Sequence, residues 1–152
     1  MNYVPLSDEA ARQVIDAQTI LAELTRVKAL ARQYEGGMYW KQEGAYEYLV
    51  KTGRRNQQQR LGARSPALEA TYTAFKARKV ETEARLASLK AAATTAQRLN
   101  KAVKAGRVPA LVVDLLNKLE ESGLTQHFAV VGTHALYAYE AAAGVRIIPG
   151  AL

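Results

Sequence analysis

Between Ser65 and Gly106 a single periodicity governs what the chain can become. Leu68, Tyr72, Phe75, Lys79, Thr82, Leu86, Leu89, Ala93 and Ala96 recur at alternating spacings of four and three residues, which places them along one side of an α-helix in a near-heptad stripe. Two members, Lys79 and Thr82, break the apolar pattern. Ser65 is suited to the N-cap, and Pro66 to the first helical position, where its missing N–H costs nothing. The spacing predicts a helix that reaches about Ala105 before Gly106 ends it. At 1.5 Å per residue it is roughly 60 Å long unless it breaks near Ala93–Thr95. Such a helix must cover its apolar stripe, so it pairs either with the first helix of this chain or with a second copy in a homodimer.

That first helix is equally legible. Ser7, Asp8 and Glu9 read as an N-cap followed by acids at the positive end of the helix dipole. Val14, Ala17, Leu21 and Leu24, with Ile20, Val27, Leu30 and Ala31, keep a three-or-four spacing. A helix over Asp8–Gln33, closed by Gly36-Gly37, follows. The next segment changes character. Tyr39, Trp40, Tyr46, Tyr48, Leu49 and Val50 favour strands and Glu43-Gly44 supplies a turn, so a β-hairpin is expected over 38–51. Its aromatics and cations either stack on nucleic-acid bases or pack one hairpin face against a helix.

From Gly53 to Arg64 the chain is polar, glycine-bearing and arginine-rich, which predicts a basic loop over 53–64. Arg54, Arg55, Arg60 and Arg64 are candidate nucleic-acid-binding residues, because guanidinium forks match phosphate oxygens; the alternative is a disordered connector. Charge points the same way. From Lys41 to Arg107 there are 15 Lys and Arg against 5 Glu, and elsewhere 6 against 9, so the formal +7 belongs to the middle of the chain. A block of this kind attracts polyanions, although a solvated helix face has the same composition.

The remaining bulk properties exclude several classes. The 152 residues suffice for one core, burying about two-thirds of the unfolded surface. No apolar run approaches the roughly 20 residues of a membrane span, and no secretory or transit signal is legible in MNYVPLSDEAARQ. The absence of cysteine removes disulfides and thiolate metal sites, and a cytoplasmic protein is expected. There is no GxxxxGK[ST], GxGxxG or GxSxG. His127 and His134, seven apart across a strand and a turn, are poorly placed for zinc.

Toward the end, Pro109 opens a helix, PALVVDLLNKLEESG, with Val112, Leu115, Leu116 and Leu119 on one face and Gly123 as its cap. Phe128–Val131 is a continuous apolar run bounded by a turn, the pattern of a strand buried on both faces. Gly132 then permits a tight turn, Thr133 can cap, and His134–Ala143 is a helix ended by Gly144. The free N–H groups at such a helix start, with the positive end of its dipole, suit a phosphate. Gly132, Thr133 and His134 are therefore candidate nucleotide-phosphate ligands.

VVGTHALYAYEAAAGVRI resembles the opening of the catalytic domain in a bacterial branch of the polymerase-beta-like nucleotidyltransferase superfamily, in which an apolar strand leads through a Gly-Gly, Gly-Ser or Gly-Thr pair into a helix. MYWK followed by EYLVKTG, LGARSP before the long helix, and GRVPALVVDLL are similar to the same branch, so the likeness reaches from about Gly37 to Leu152. It implies an α+β chain, mostly α: a helical region with a hairpin over 1–125, then the first strand and helix of a nucleotidyltransferase domain over 126–152. It further implies an NTP as partner, with Gly132 and Thr133 at its triphosphate. In that superfamily Mg2+ is held by a later Asp-x-Asp pair, and no acid follows Glu140 here. The expectation is a chain cut before its metal ligands, with no metal bound by the chain alone and no catalytic residue in it. The alternative expectation is a basic helical module that binds nucleic acid or protein without catalysis.

Overall fold

In the computed structural model, residues 2–148 are described, apart from the side chain of Arg54. Eleven elements follow in order: β1 (Tyr3–Pro5), α1 (Asp8–Gln33), β2 (Gly37–Glu43), β3 (Tyr46–Thr52), a 3-10 turn (Arg54–Asn56), β4 (Gln58–Ala63), α2 (Pro66–Ala102), α3 (Ala110–Glu121), a 3-10 turn (Thr125–His127), α4 (Thr133–Ala143) and β5 (Val145–Ile147). The chain is thus α+β and mostly α. Two compact units emerge, one formed by residues 1–19 and 94–152 and the other by residues 20–93.

Local chemistry sets the helix boundaries. The Ser7 hydroxyl accepts from the Ala10 N–H at 3.2 Å and the Ser65 hydroxyl from the Leu68 N–H at 3.3 Å. Each satisfies one of the donors that a helix start leaves unpaired. At its far end α2 stops at Ala102, and the left-handed residue that closes it is Lys104, φ 53°, with the Ala105 N–H returning to the Asn100 carbonyl at 2.8 Å. Gly106 therefore follows the cap rather than forming it.

In the unit of residues 20–93, β2, β3 and β4 form an antiparallel sheet in that order. The hairpin joins β2 to β3 through Gly44-Ala45, with Gly44 at φ 60°, as a two-residue turn requires. Trp40 lies 5.9 Å from the Tyr72 ring and Tyr34 lies 5.6 Å from Phe75, while Leu49 and Val50 are buried. The aromatic face of the hairpin thus packs on α2, as one of the two sequence expectations has it. Leu24 and Val27 on α1 and Phe75, Thr82 and Ala93 on α2 are buried in this unit as well. Gly36, at φ 81°, admits no side chain, because a Cβ there would lie 2.0 Å from the Thr52 carbonyl oxygen.

The arginine-rich loop expected over 53–64 is mostly a strand. β4 pairs with β3 from Thr52↔Gln58 to Tyr48↔Ala63, with a shift that leaves Leu61 as the extra residue of a bulge. Polar residues sit at its exposed edge without cost, so composition alone misread it as a loop.

In the other unit, Gln13 on α1 donates to the Asn100 side chain at 2.9 Å and to the Ala96 carbonyl, and Ala10, Ala17, Ala96 and Ala105 are buried. β1 pairs with β5, Tyr3↔Ile147 to Pro5↔Val145, a two-stranded sheet with no counterpart in the sequence reading. The apolar run Phe128–Val131 is a second correction. It is extended at Phe128 but belongs to no strand, and Phe128, Val130 and Val131 are exposed, Val131 by 78%. A strand buried on both faces needs paired neighbours and two covering layers, and the described residues supply neither.

Candidate phosphate site at the start of α4

α4 begins where Gly132, at φ 72° and ψ −150°, turns the chain. A Cβ at this position would meet nothing within 4 Å, so the approach to the turn is open. Thr133 is the first helical residue, not the cap, and no side chain caps this end. Gly132, Thr133 and His134 are all exposed, and the His134 ring stands 6.1 Å from Tyr137. The sequence thus predicted the glycine and the helix, but the threonine hydroxyl stands one position later than a cap would.

Thr133 also lines a cleft of about 160 Å³ with Arg107, Leu136, Tyr137, Glu140 and Ile147. Arg107 is the residue that sequence reasoning missed. It lies 26 positions before Thr133, between Gly106 and the Pro109 helix start, and was legible only as one more cation of the basic middle. Its guanidinium donates from Nε to Glu140 at 3.2 Å, from Nη2 to the same carboxylate, and from Nη2 to the Ile147 carbonyl at 3.2 Å. The Glu140 carboxylate additionally accepts from the Ile147 N–H at 2.7 Å. β5 is pinned by β1, with the Leu6 N–H bonded to the Gly144 carbonyl and the Ile148 N–H to Asn2, so Ile147 is a fixed reference for both side chains.

Glu140 is only 6% exposed. Burial pushes its carboxyl up, but the Arg107 hydrogen bonds, the Ile147 N–H and the charges of Arg107 and Arg146 outweigh that and hold it below its ordinary value. The pairing keeps Arg107 charged and leaves its Nη1 group uncommitted among the described residues. The cleft therefore has a helix start at one side and a fixed guanidinium in its lining. At about 160 Å³ it is well below the roughly 300 Å³ at which pockets enclose a whole small molecule, so it suits a phosphate group rather than a nucleoside.

Three of the four candidate arginines of residues 53–64 have described side chains, and their surroundings differ. Arg55 is exposed, in the left-handed region at φ 58°, in the turn between β3 and β4. Arg60 is held at 3.1 Å by Glu43 and stacks on Tyr48, 3.2 Å from the ring centre. Arg64 is shared between Glu47 and Glu69 and lies 5.2 Å from the Trp40 ring centre. Two of the four are thus committed to holding β4 on the sheet. The side chain of Arg54 lies outside the described residues.

A family model described as nucleotidyltransferase matches residues 110–152, which hold α3, the Gly132 turn, α4 and β5. It does not extend over residues 37–109, to which the sequence resemblance also reaches. No curated protein and no solved structure matches the chain.

Proposed function

We propose that residues 110–152 are part of a nucleotidyltransferase-type domain in which the start of α4 receives the phosphate tail of a nucleoside triphosphate. The carrying observation is the coincidence of the family match with an open Gly132-Thr133 helix start beside the Arg107 cleft. Thr133 and His134 offer first-turn N–H groups, the Thr133 hydroxyl adds a donor, and Arg107 supplies a fixed charge toward the phosphate oxygens. The base and sugar lie outside the cleft and contribute little to affinity at this site. The intact activity on this reading is transfer of a nucleotidyl group from an NTP to an acceptor.

The divalent metal implied by the family is not accommodated by these residues. No group of three or more His, Asp or Glu that could hold a metal ion occurs among the described residues. Glu140, the acid that lines the cleft, is spent on Arg107 and Ile147. The residues present bind phosphate. Calorimetric titration with ATP and with inorganic triphosphate tests this. Both ligands should bind comparably, and Thr133→Ala should weaken each by about tenfold, the worth of one hydrogen bond to a charged group. Unchanged affinity in the variant would count against the assignment.

A second reading, nucleic-acid binding without catalysis, is favoured by the charge distribution. Residues 20–93 hold 14 Lys and Arg against 7 Glu, whereas the other unit balances 7 cations with 7 acids. On this reading single-stranded RNA binds with a steep salt dependence, and Arg54→Ala with Arg55→Ala lowers both affinity and slope, whereas Arg60→Ala alone does less because that side chain is already paired. A flat salt response in a filter-binding assay would remove it.

A further inference from the structure

In the unit of residues 20–93, the place where the heptad stripe of α2 turns polar coincides with a groove. Thr82 occupies a core position and is only 5% exposed, yet its hydroxyl has no hydrogen-bond partner among the described residues. Thr19 and Thr71, by contrast, donate to the carbonyls four residues back. No fully buried side-chain polar atom is left unpaired among the described residues, so the Thr82 oxygen retains contact with the groove that Thr82 lines. That groove, about 110 Å³ between α1 and α2, is lined by Val27 and Leu30 and by three arginines, Arg26, Arg78 and Arg85, with Glu81 beside them.

The cations are held in place and incompletely used. Glu23 accepts from Arg26 through Nε and Nη2, both at 2.8 Å, and from Arg85 through Nη2. These two hydrogen-bonded arginines hold the Glu23 carboxyl down to about 2, so it stays ionised and keeps the forks together. Arg26 Nη1 and Arg85 Nη1 and Nε have no partner in these bonds. Arg78 is freer still. Its nearest carboxylate, Glu81, is 3.9 Å away, beyond hydrogen-bonding distance, and its side chain is 69% exposed. Against three arginines stand Glu23 and Glu81, which leaves the rim net positive.

A hydroxyl at a packing position that opens on a groove is free to donate to whatever occupies that groove, whereas an aliphatic side chain would fill the same position without offering a donor. The volume corresponds to about three or four waters at 30 Å³ each. It is too small for a nucleoside and fits one tetrahedral oxyanion. We propose that this groove is a binding site for a single phosphate group, with Thr82 donating from the floor and Arg26, Arg78 and Arg85 from the rim. It stands on residues 20–93 alone and does not depend on the function proposed for α4. The phosphate is either free or carried in an RNA backbone, and the same donors serve both.

The test is an NMR titration of the full chain with inorganic phosphate, at ionic strength held constant with chloride. The Thr82 methyl signal and the side-chain N–H signals of Arg26, Arg78 and Arg85 should shift together and saturate. Arg78→Gln, at an exposed position, should weaken the apparent affinity by about tenfold, and Thr82→Val, which keeps the shape and removes the hydroxyl, by about threefold to tenfold. Circular dichroism of both variants checks that the helices persist. A second arm adds a short single-stranded RNA. Displacement of phosphate by RNA, with the same sensitivity to both variants, assigns the site to a backbone phosphodiester; saturation by phosphate without displacement assigns it to free phosphate. Absence of saturable shifts in both arms, or wild-type affinity in both variants, overturns the proposal.

Discussion

Arg107 and Glu140 show how one ion pair organises a site. They are 33 positions apart, and each is intelligible only through the other and through Ile147. Because folding lowers the Glu140 carboxyl, its ionised form stabilises the native state at neutral pH, and that contribution is lost as pH falls through the folded-state value. Glu140→Gln should therefore cost about 2 kcal/mol near pH 7, where Arg107 loses its counter-charge but remains partly solvated. The gap between variant and wild type should close below the ordinary carboxylate range. Urea denaturation of both proteins across that range checks the sign, and a gap that widens on acidification would refute the assignment. Thr82 carries the same lesson for legibility: the break in the stripe was visible in the sequence, whereas the arginines that surround it come partly from α1.

At the scale of elements, the helices and the hairpin are legible to within about three residues, and β1, β4 and β5 are not. α1 spans Asp8–Gln33 as expected and α2 begins at Pro66, because serine caps and periodicity are local properties of a helix. β4 has the composition of a loop, since its Gln and Arg residues say nothing about the strand that pairs with it. β1 and β5 lie some 140 positions apart and were invisible for the same reason. The hairpin, whose strands are joined by two residues, was legible. Its energetic centre is Leu49, fully buried and paired with Trp40 on one side and Gly62 on the other. Leu49→Ala should destabilise the chain by about 3 kcal/mol in chemical denaturation, within the range for deleting a buried leucine. A change under about 1 kcal/mol would mean that the sheet is not packed on α2 as described.

Across the whole molecule, charge and apolar surface are unevenly distributed. One unit carries the net +7 and the other is neutral. The neutral unit also exposes Leu111 by 80%, Leu115, Phe128 and Val131, while α3 buries no residue. Apolar surface of this extent favours association, so self-association is expected to strengthen with concentration and salt. Light scattering across a concentration series checks it, and a monomeric mass throughout would dismiss both this association and a homodimer through α2. No helix among the described residues is long and apolar enough to cross a membrane, in agreement with the hydropathy of the sequence.

The sequence by itself determined the four helices, the hairpin, the basic centre and the Gly132 turn, because capping, periodicity and turn formation depend on residues within a few positions of one another. Only the tertiary structure decided that β4 is a strand, that Phe128–Val131 lies unpaired, that Arg60 and Arg64 are spent on carboxylates and rings, and that Arg107 stands in the cleft beside Thr133. Each of those outcomes depends on a partner distant in the chain, and hydrogen bonding and ion pairing act through space, where sequence separation carries no information.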